Sequence, residues 1–392
     1  MSLFSGKKFT LVALYALFGI SSFFAEEKWQ HVKLSHTSNN ILHQFDPDQN
    51  DLRLLNSIPS PLRHLSYAIY PTSRGYDTAR FNYNKRFNLF PHAIITPRTK
   101  KEAVFTLRQF KKYKLPFSVR SGGHCIQAGS LSPGYIFDLR HFNQIVPNVK
   151  RKEVYIGAGA RLGDVIDTLG KLGFAIPSGT CSSVGVGGLT LGGGVGFLSR
   201  AFGLTCDSVK SITFLTAKGK IIKVDHENHP GLFWALRGAG NGSYGIALGI
   251  TYQMHKVPQV SYLSLKWNWS GKLVHKVFQA WQKWIKTLPE NISPFLNLSY
   301  QNQKLLIEVE ALKVGSSKFT EWKKAFSCLK PKVKLFKGSY TASARLWADR
   351  APYPFLKSKS EMIMKPLSHK PVQLAIDFLE DLKKKKSTYY AF

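Results

Sequence analysis

Eight glycines fall between positions 185 and 203 of this 392-residue chain, and Gly192, Gly193 and Gly194 are consecutive. Glycine inside a helix or strand costs about 1 kcal/mol relative to alanine, so ordinary element interiors do not carry such a run. Backbone must approach something closely there. The run opens with Gly179-Thr180-Cys181-Ser182-Ser183-Val184-Gly185-Val186-Gly187-Gly188 and continues past Gly194 to Val195-Gly196. It is not a Walker loop, because no Gly-Lys-Ser/Thr closes it, and it lacks the strand-turn-helix setting of a dinucleotide fingerprint. A shorter glycine loop lies upstream: Arg120-Ser121-Gly122-Gly123-His124 follows the strand-like Phe117-Ser118-Val119. Consecutive glycines at a strand end let N–H groups gather around an anion such as a pyrophosphate. Alone, that loop also reads as a turn with a hydrogen-bonded histidine. Taken together, the two loops suggest a grip on one large, flat, anionic cofactor.

The rest of the chain can supply a scaffold for such loops. It is 44% hydrophobic and 13% aromatic, which suits a globular protein of two domains and excludes a disordered polycation. The net charge of +32 invites a nucleic-acid or anionic-polymer role. Yet the lysines are dispersed, as in Lys111-Lys112, Lys323-Lys324 and Lys332-Val333-Lys334, and no zinc-finger, basic-zipper or RNA-recognition signature accompanies them. A solvated basic surface is the expectation, with no specific nucleic-acid partner. Four cysteines are too few for a disulfide-built scaffold.

Residues 1–25 read as an export signal: Lys7 and Lys8, an apolar run from Phe9 to Phe24, and a cleavage position near Ala25. The run is shorter than a membrane-spanning helix and no later stretch qualifies, so an exported protein without a transmembrane segment is expected. Residues 26–86 form a lead-in. From Ala93-Ile94-Ile95 onward, short strands alternate with helical spacings such as Ala103, Val104, Leu107 and Phe110, or Leu162, Val165, Ile166 and Leu169. A second region begins near Pro258. Trp267 and Trp269 alternate as on a strand, Val274, Val277, Phe278, Trp281 and Ile285 line a helix, and strands are expected at Phe295–Tyr300 and Leu305–Leu312. Pro371 opens a last helix carrying Val372, Ile376, Leu379 and Leu382. The pattern is α+β.

The two glycine loops, Phe202-Gly-Leu-Thr-Cys-Asp-Ser-Val209 and Leu232-Phe-Trp-Ala-Leu-Arg-Gly-Ala-Gly-Asn-Gly-Ser-Tyr-Gly245, in this order and spacing, resemble the berberine-bridge-enzyme-like branch of the vanillyl-alcohol-oxidase flavoproteins. The resemblance implies a two-subdomain FAD-binding domain of the PCMH type over residues 87–258. Residues 259–392 would be part of a substrate domain made of an antiparallel sheet and helices. It implies FAD bonded through its 8α-methyl to His124 and through C6 to Cys181, cradled by Arg120, Ser121, Gly122, Gly123, Gly129, Gly179, Val184, Gly185, Gly188, Gly193, Gly194, Gly196 and Ile246. A neutral imidazole and a thiolate are both competent nucleophiles for such bonds. The competing readings are an unlinked His124 and an inert thiol at Cys181.

Val184, near the flavin in this pattern and no larger than valine, leans towards molecular oxygen as the acceptor. Ile126 replaces the pocket tyrosine of many relatives, which counts against sugar stacking at that position. Cys125, Cys206 and Cys328 are expected as packing residues, with a disulfide between two of them open in an exported protein. The implied reaction takes two electrons from an alcohol, sugar or amine-type small molecule. No catalytic residue can be assigned, because the family's base lies in a stretch that this sequence does not match. After Leu382 come four lysines and Ser387-Thr388-Tyr389-Tyr390-Ala391-Phe392, which match nothing in the family and suggest a frameshifted or truncated product. An inactive, polyanion-binding remnant and a singly linked lactone-type dehydrogenase are the alternatives.

Overall fold

The computed structural model describes residues 56–301, 304–347 and 365–384. The expected leader over 1–25 and the final residues 387–392 lie outside the described residues.

A small sheet comes first. Its strands are β1 (Ala68–Ile69), β2 (Ala93–Ile95), β3 (Phe117–Arg120) and β4 (Tyr135–Asp138), in the order β1-β2-β4-β3. Strand β4 runs parallel to both β2 and β3, and every residue of β2 and β4 is buried, as parallel strands covered on two faces require. The helix Lys100–Lys112 connects β2 to β3. Thr99 caps it by accepting from the Glu102 amide, and its Ala103, Leu107 and Phe110 turn inward, with the Phe110 ring 4.8 Å from that of Phe117. Parallel pairing brings the ends of β3 and β4 side by side, with Arg120 directly opposite Asp138. Arg120 Nε and Nη2 each lie 2.6 Å from Asp138 Oδ2, and Arg140 Nη2 adds a contact at 3.0 Å.

A second, fully antiparallel sheet follows. It is built from β5 (Ile145–Asn148), β6 (Glu153–Gly157), β8 (Val209–Thr216), β9 (Ile221–Val224) and β10 (Gly245–Gln253) in the order β5-β6-β10-β8-β9. Strands β7 (Phe174–Ala175) and β11 (His255–Lys256) make a separate short pair. The helix Leu162–Gly170 lays Leu162, Val165 and Leu169 onto Val154, Ile156 and Ile250 of this sheet. Leu215, Ile246 and Leu248 pack instead with Phe137 and Phe110, which fuses the two sheets.

The third sheet is β12 (Val260–Asn268), β13 (Ile292–Gln301), β14 (Lys304–Val314) and β15 (Lys332–Gly338), all antiparallel, in the order β13-β14-β12-β15. One face is covered by the helices Gly271–Ile285 and His369–Lys384, through Val274, Val277, Phe278, Trp281, Val372 and Ile376. The opposite face presents Tyr262, Phe295 and Leu312 to Phe197 and Leu198, just beyond Gly196. Across that face Glu310 accepts hydrogen bonds from the Tyr262 hydroxyl and from Asn297 Nδ2, tying three strands together. The glycine-rich segment therefore lies between the second and third sheets.

Several expectations shift. Strands β13 and β14 extend beyond Phe295–Tyr300 and Leu305–Leu312, and Trp269 falls just after β12. Cys206 is buried as a packing residue should be, but Cys125 and Cys328 are exposed, and none of the four cysteines forms a disulfide. Part of the glycine run is helical after all, over Val186–Leu191. Gly187 is needed inside that helix because a Cβ there would sit 2.8 Å from the Ala158 carbonyl oxygen.

The Asp138 carboxyl is pulled two ways: burial raises its pKa, and Arg120 with Arg140 outweighs burial, so the folded value is lowered. Its stabilisation is complete above the ordinary value of 3.8 and is lost as pH falls through the lowered folded value. Asp138→Asn leaves Arg120 buried without its counter-charge and should cost about 3–5 kcal/mol in urea unfolding at neutral pH. The same variant should flatten the acid limb of the stability profile below about pH 4.

Candidate functional site

The site is assembled from three backbone segments. Residues 120–124 leave the end of β3, residues 158–161 leave the end of β6, and residues 181–187 lead into the helix Val186–Leu191. The Ala158 carbonyl is shared by the other two segments: it accepts from Ser121 Oγ at 2.6 Å and from the Gly187 amide at 2.9 Å. Arg161 pairs with Gly185 in an isolated antiparallel bridge, and its guanidinium Nη1 donates to the carbonyls of both Gly122 and Ser183. The Leu162 and Gly163 amides donate back to Val184 and Ser182 at 3.0 and 2.9 Å. The sequence does not single out Arg161, because nothing local marks its partners 39 and 22 positions away.

Gly122 and Gly185 are needed for each other. A Cβ on Gly122 would come within 2.0 Å of the Gly185 amide nitrogen, and one on Gly185 within 2.2 Å of the Gly122 nitrogen. Other glycines serve similar close contacts inside the protein. A Cβ at Gly196 would lie 1.8 Å from the Ser178 carbonyl oxygen, and one at Gly194 2.2 Å from Thr205 Oγ1. Gly193 and Gly194 have φ of 101° and 82°, and their carbonyls accept from the Cys206 and Thr205 amides. Gly179 packs against Leu162 and Leu189. Gly188 differs: it is exposed, and a Cβ there would meet nothing within 4 Å. Its main chain is open to solvent, as is that of Gly192 one turn later.

The two candidate attachment residues belong to one locality. His124 Nε2 lies 3.0 Å from Ser183 Oγ, two residues beyond Cys181, and both His124 and Cys181 are half-buried. The Val184 amide donates to the Cys181 carbonyl at 3.4 Å, while its side chain packs against the second sheet's core. Cys206 stands apart chemically, because burial and the neighbouring Asp207 push its pKa up to about 11 and keep it a neutral thiol. Three residues named from sequence play other geometric parts. Arg120 has its guanidinium buried on Asp138, so it fixes the loop's base. Ile246 is 2% exposed within the apolar core, which leaves main chain as its means of reaching a ligand. Gly129 donates its amide to Cys125 Sγ at 3.1 Å and closes the loop after His124.

Sequence reading also passed over a segment before β2. Tyr83 stacks on the His124 ring, with centroids 4.2 Å apart and planes 20° apart. Its neighbours Asn82 and Asn84 donate to the carbonyls of Cys125 and Ile126.

An open glycine edge, a cation at the junction of two loops, and an imidazole beside a thiol-bearing turn suit a dinucleotide with a reactive aromatic ring system. The FAD binding domain family matches residues 91–225. An uncharacterized FAD-linked oxidoreductase of Bacillus subtilis, YgaK, is 33% identical over 325 residues, covering 78% of this chain and 69% of its own. Berberine-bridge-enzyme-like 1 of Physcomitrella patens aligns with a TM-score of 0.65 at 26% identity, over 73% of this chain and 64% of that one. The 6-hydroxy-D-nicotine oxidase of Arthrobacter nicotinovorans aligns with a TM-score of 0.68 at 26% identity, over 74% and 65%. This chain belongs to the FAD-linked oxidoreductases, in their berberine-bridge-enzyme-like branch. It spans slightly less than two thirds of either solved relative. No helix among the described residues is long and apolar enough to cross a membrane.

Gly122→Ala and Gly185→Ala should each lower stability by about 1–3 kcal/mol, read by thermal melting, since the new methyl meets backbone that has no free rotamer. Gly188→Ala should melt within about 1 kcal/mol of the parent or above it, because the methyl enters open space in a helix.

Proposed function

We propose that the protein is an FAD-dependent oxidase whose cofactor is bonded to His124 and to Cys181, and which removes two electrons from an alcohol, sugar or amine-type substrate. The observation that carries this reading is the meeting of the two loops, with His124 Nε2 at 3.0 Å from Ser183 Oγ and Cys181 on the same turn. FAD, when bound, supplies the two-electron acceptor. The chain's own residues supply the rest. Gly122 and Gly185 let the two loops close, Arg161 holds them together and offers positive charge at their junction, and Gly188 leaves backbone accessible. His124 and Cys181 supply a nitrogen and a sulfur nucleophile in one locality. Val184, small and half-buried beside Cys181, favours oxygen as the terminal acceptor, and one solved relative is an oxidase by name. Export belongs to the same reading and rests on the leader-like residues 1–25.

Purified protein should be yellow, and acid should precipitate the flavin with the polypeptide. His124→Ala should leave flavin mass on the Cys181 peptide alone, Cys181→Ala on the His124 peptide alone, and the double variant should release free FAD on denaturation. Flavin on His124 but never on Cys181 would favour the singly linked dehydrogenase instead. A colourless protein whose DNA affinity falls steeply with salt would replace the oxidase reading with a polyanion-binding one. After dithionite reduction, Val184→Leu should slow reoxidation by oxygen by at least about tenfold, as a methylene narrows the approach of a small reactant.

A further inference from the structure

The segment Asn82-Tyr83-Asn84 grips the His124 loop at three consecutive points. Asn82 Nδ2 donates to the Cys125 carbonyl at 3.2 Å, the Tyr83 amide to the Gly123 carbonyl at 2.7 Å, and Asn84 Nδ2 to the Ile126 carbonyl at 2.7 Å. Both asparagine side chains are buried, and Tyr83 covers one face of the His124 ring. The loop it seizes carries Gly123 at a φ of 70° and Ala128 at 62°, and it has no strand ladder of its own. Without the grip, the carbonyls of 123, 125 and 126 would turn to solvent and the imidazole would sample its rotamers freely.

The geometry points to Asn82, Tyr83 and Asn84 as positioning residues that preset the His124 imidazole for bonding to the cofactor. The ring is held between two partners. Tyr83 restricts its plane from one face, and Ser183 Oγ engages Nε2 at its edge. Attachment replaces one C–H bond of the flavin 8α-methyl and the imidazole N–H by a C–N bond. The two electrons and two protons released pass to dioxygen, which leaves as hydrogen peroxide. The chain's contribution is to shorten the search of the nucleophile for that carbon, an orientational effect that a loosened loop forfeits.

The test uses the full chain and the variants Tyr83→Leu, Tyr83→Phe and Asn84→Ala, reconstituted with FAD from cofactor-free protein. Tyr83→Leu and Asn84→Ala should slow the appearance of acid-precipitable flavin by at least about tenfold, while Tyr83→Phe, which keeps the stack, should restore the rate. Equal rates in all four proteins overturn the inference. This arm rests on the attachment reading above, and a second arm does not. In cofactor-free protein, the carbon-bound protons of the His124 ring should show an upfield ring-current shift in the parent and in Tyr83→Phe that disappears in Tyr83→Leu. Amide exchange over residues 123–126 should quicken by at least about tenfold in Asn84→Ala. If the parent never bonds flavin, the attachment reading fails and this second arm alone decides. Unchanged His124 shifts and unchanged exchange then overturn the positioning role.

Discussion

The contact of Gly122 with Gly185 is the constraint on which the candidate site depends. Two main chains meet with no side chain between them, at spacings of about 2 Å from where a methyl would be. Residues upstream and downstream serve that approach. The buried Arg120–Asp138 pair fixes where the first loop leaves its sheet, and the Ala158 carbonyl, accepting from Ser121 and Gly187, sets both loops against the end of β6. Arg161 then bridges the carbonyls of Gly122 and Ser183. None of these contacts is apolar. The loops are joined by main-chain polarity and charge, while the hydrophobic cores lie beneath them, under the first two sheets.

Much of the fold was legible because its periodicities are clean. Ala93–Ile95 and Tyr135–Phe137 are continuous apolar runs that suit strands buried on both faces, and the Leu162 and Val274 helices each carry one apolar stripe. Strand ends were less legible. Ser293 and Lys313 belong to β13 and β14, but polar residues there break the apolar pattern that would extend the strands. In the site, glycine density gave away the two loops, since few sequences tolerate such a run without a reason. The reason itself was only half visible. A need for close approach can come from a ligand or from another stretch of the same chain, and for Gly122, Gly185, Gly194 and Gly196 it comes from the chain.

Arg161 and the Asn82-Tyr83-Asn84 segment were illegible for a different reason. Each acts through contacts between residues far apart in sequence, 39 positions for Arg161 to Gly122 and 43 for Asn82 to Cys125. No local spacing marks such a partner, and arginine or asparagine in a loop looks the same whether it is solvated or bonded to a distant carbonyl. The large positive charge, read as a solvated basic surface, did not mark which cations act inside the fold, where Arg120 neutralises a buried carboxylate and Arg161 bridges two carbonyls.

The topology of the second sheet also bears on the order in which the chain can be built. Strand β6 has β5 on one side, but its other neighbour, β10, is not synthesised until residues 249–253, which pair with 153–157. Between the two come the whole glycine run and strands β8 and β9. A nascent chain therefore carries the second loop before the sheet that anchors Ala158 is closed, with the edge of β6 open to wrong partners meanwhile. The junction of the two loops is therefore completed late in synthesis, and until β10 is made the sheet keeps one unpaired edge.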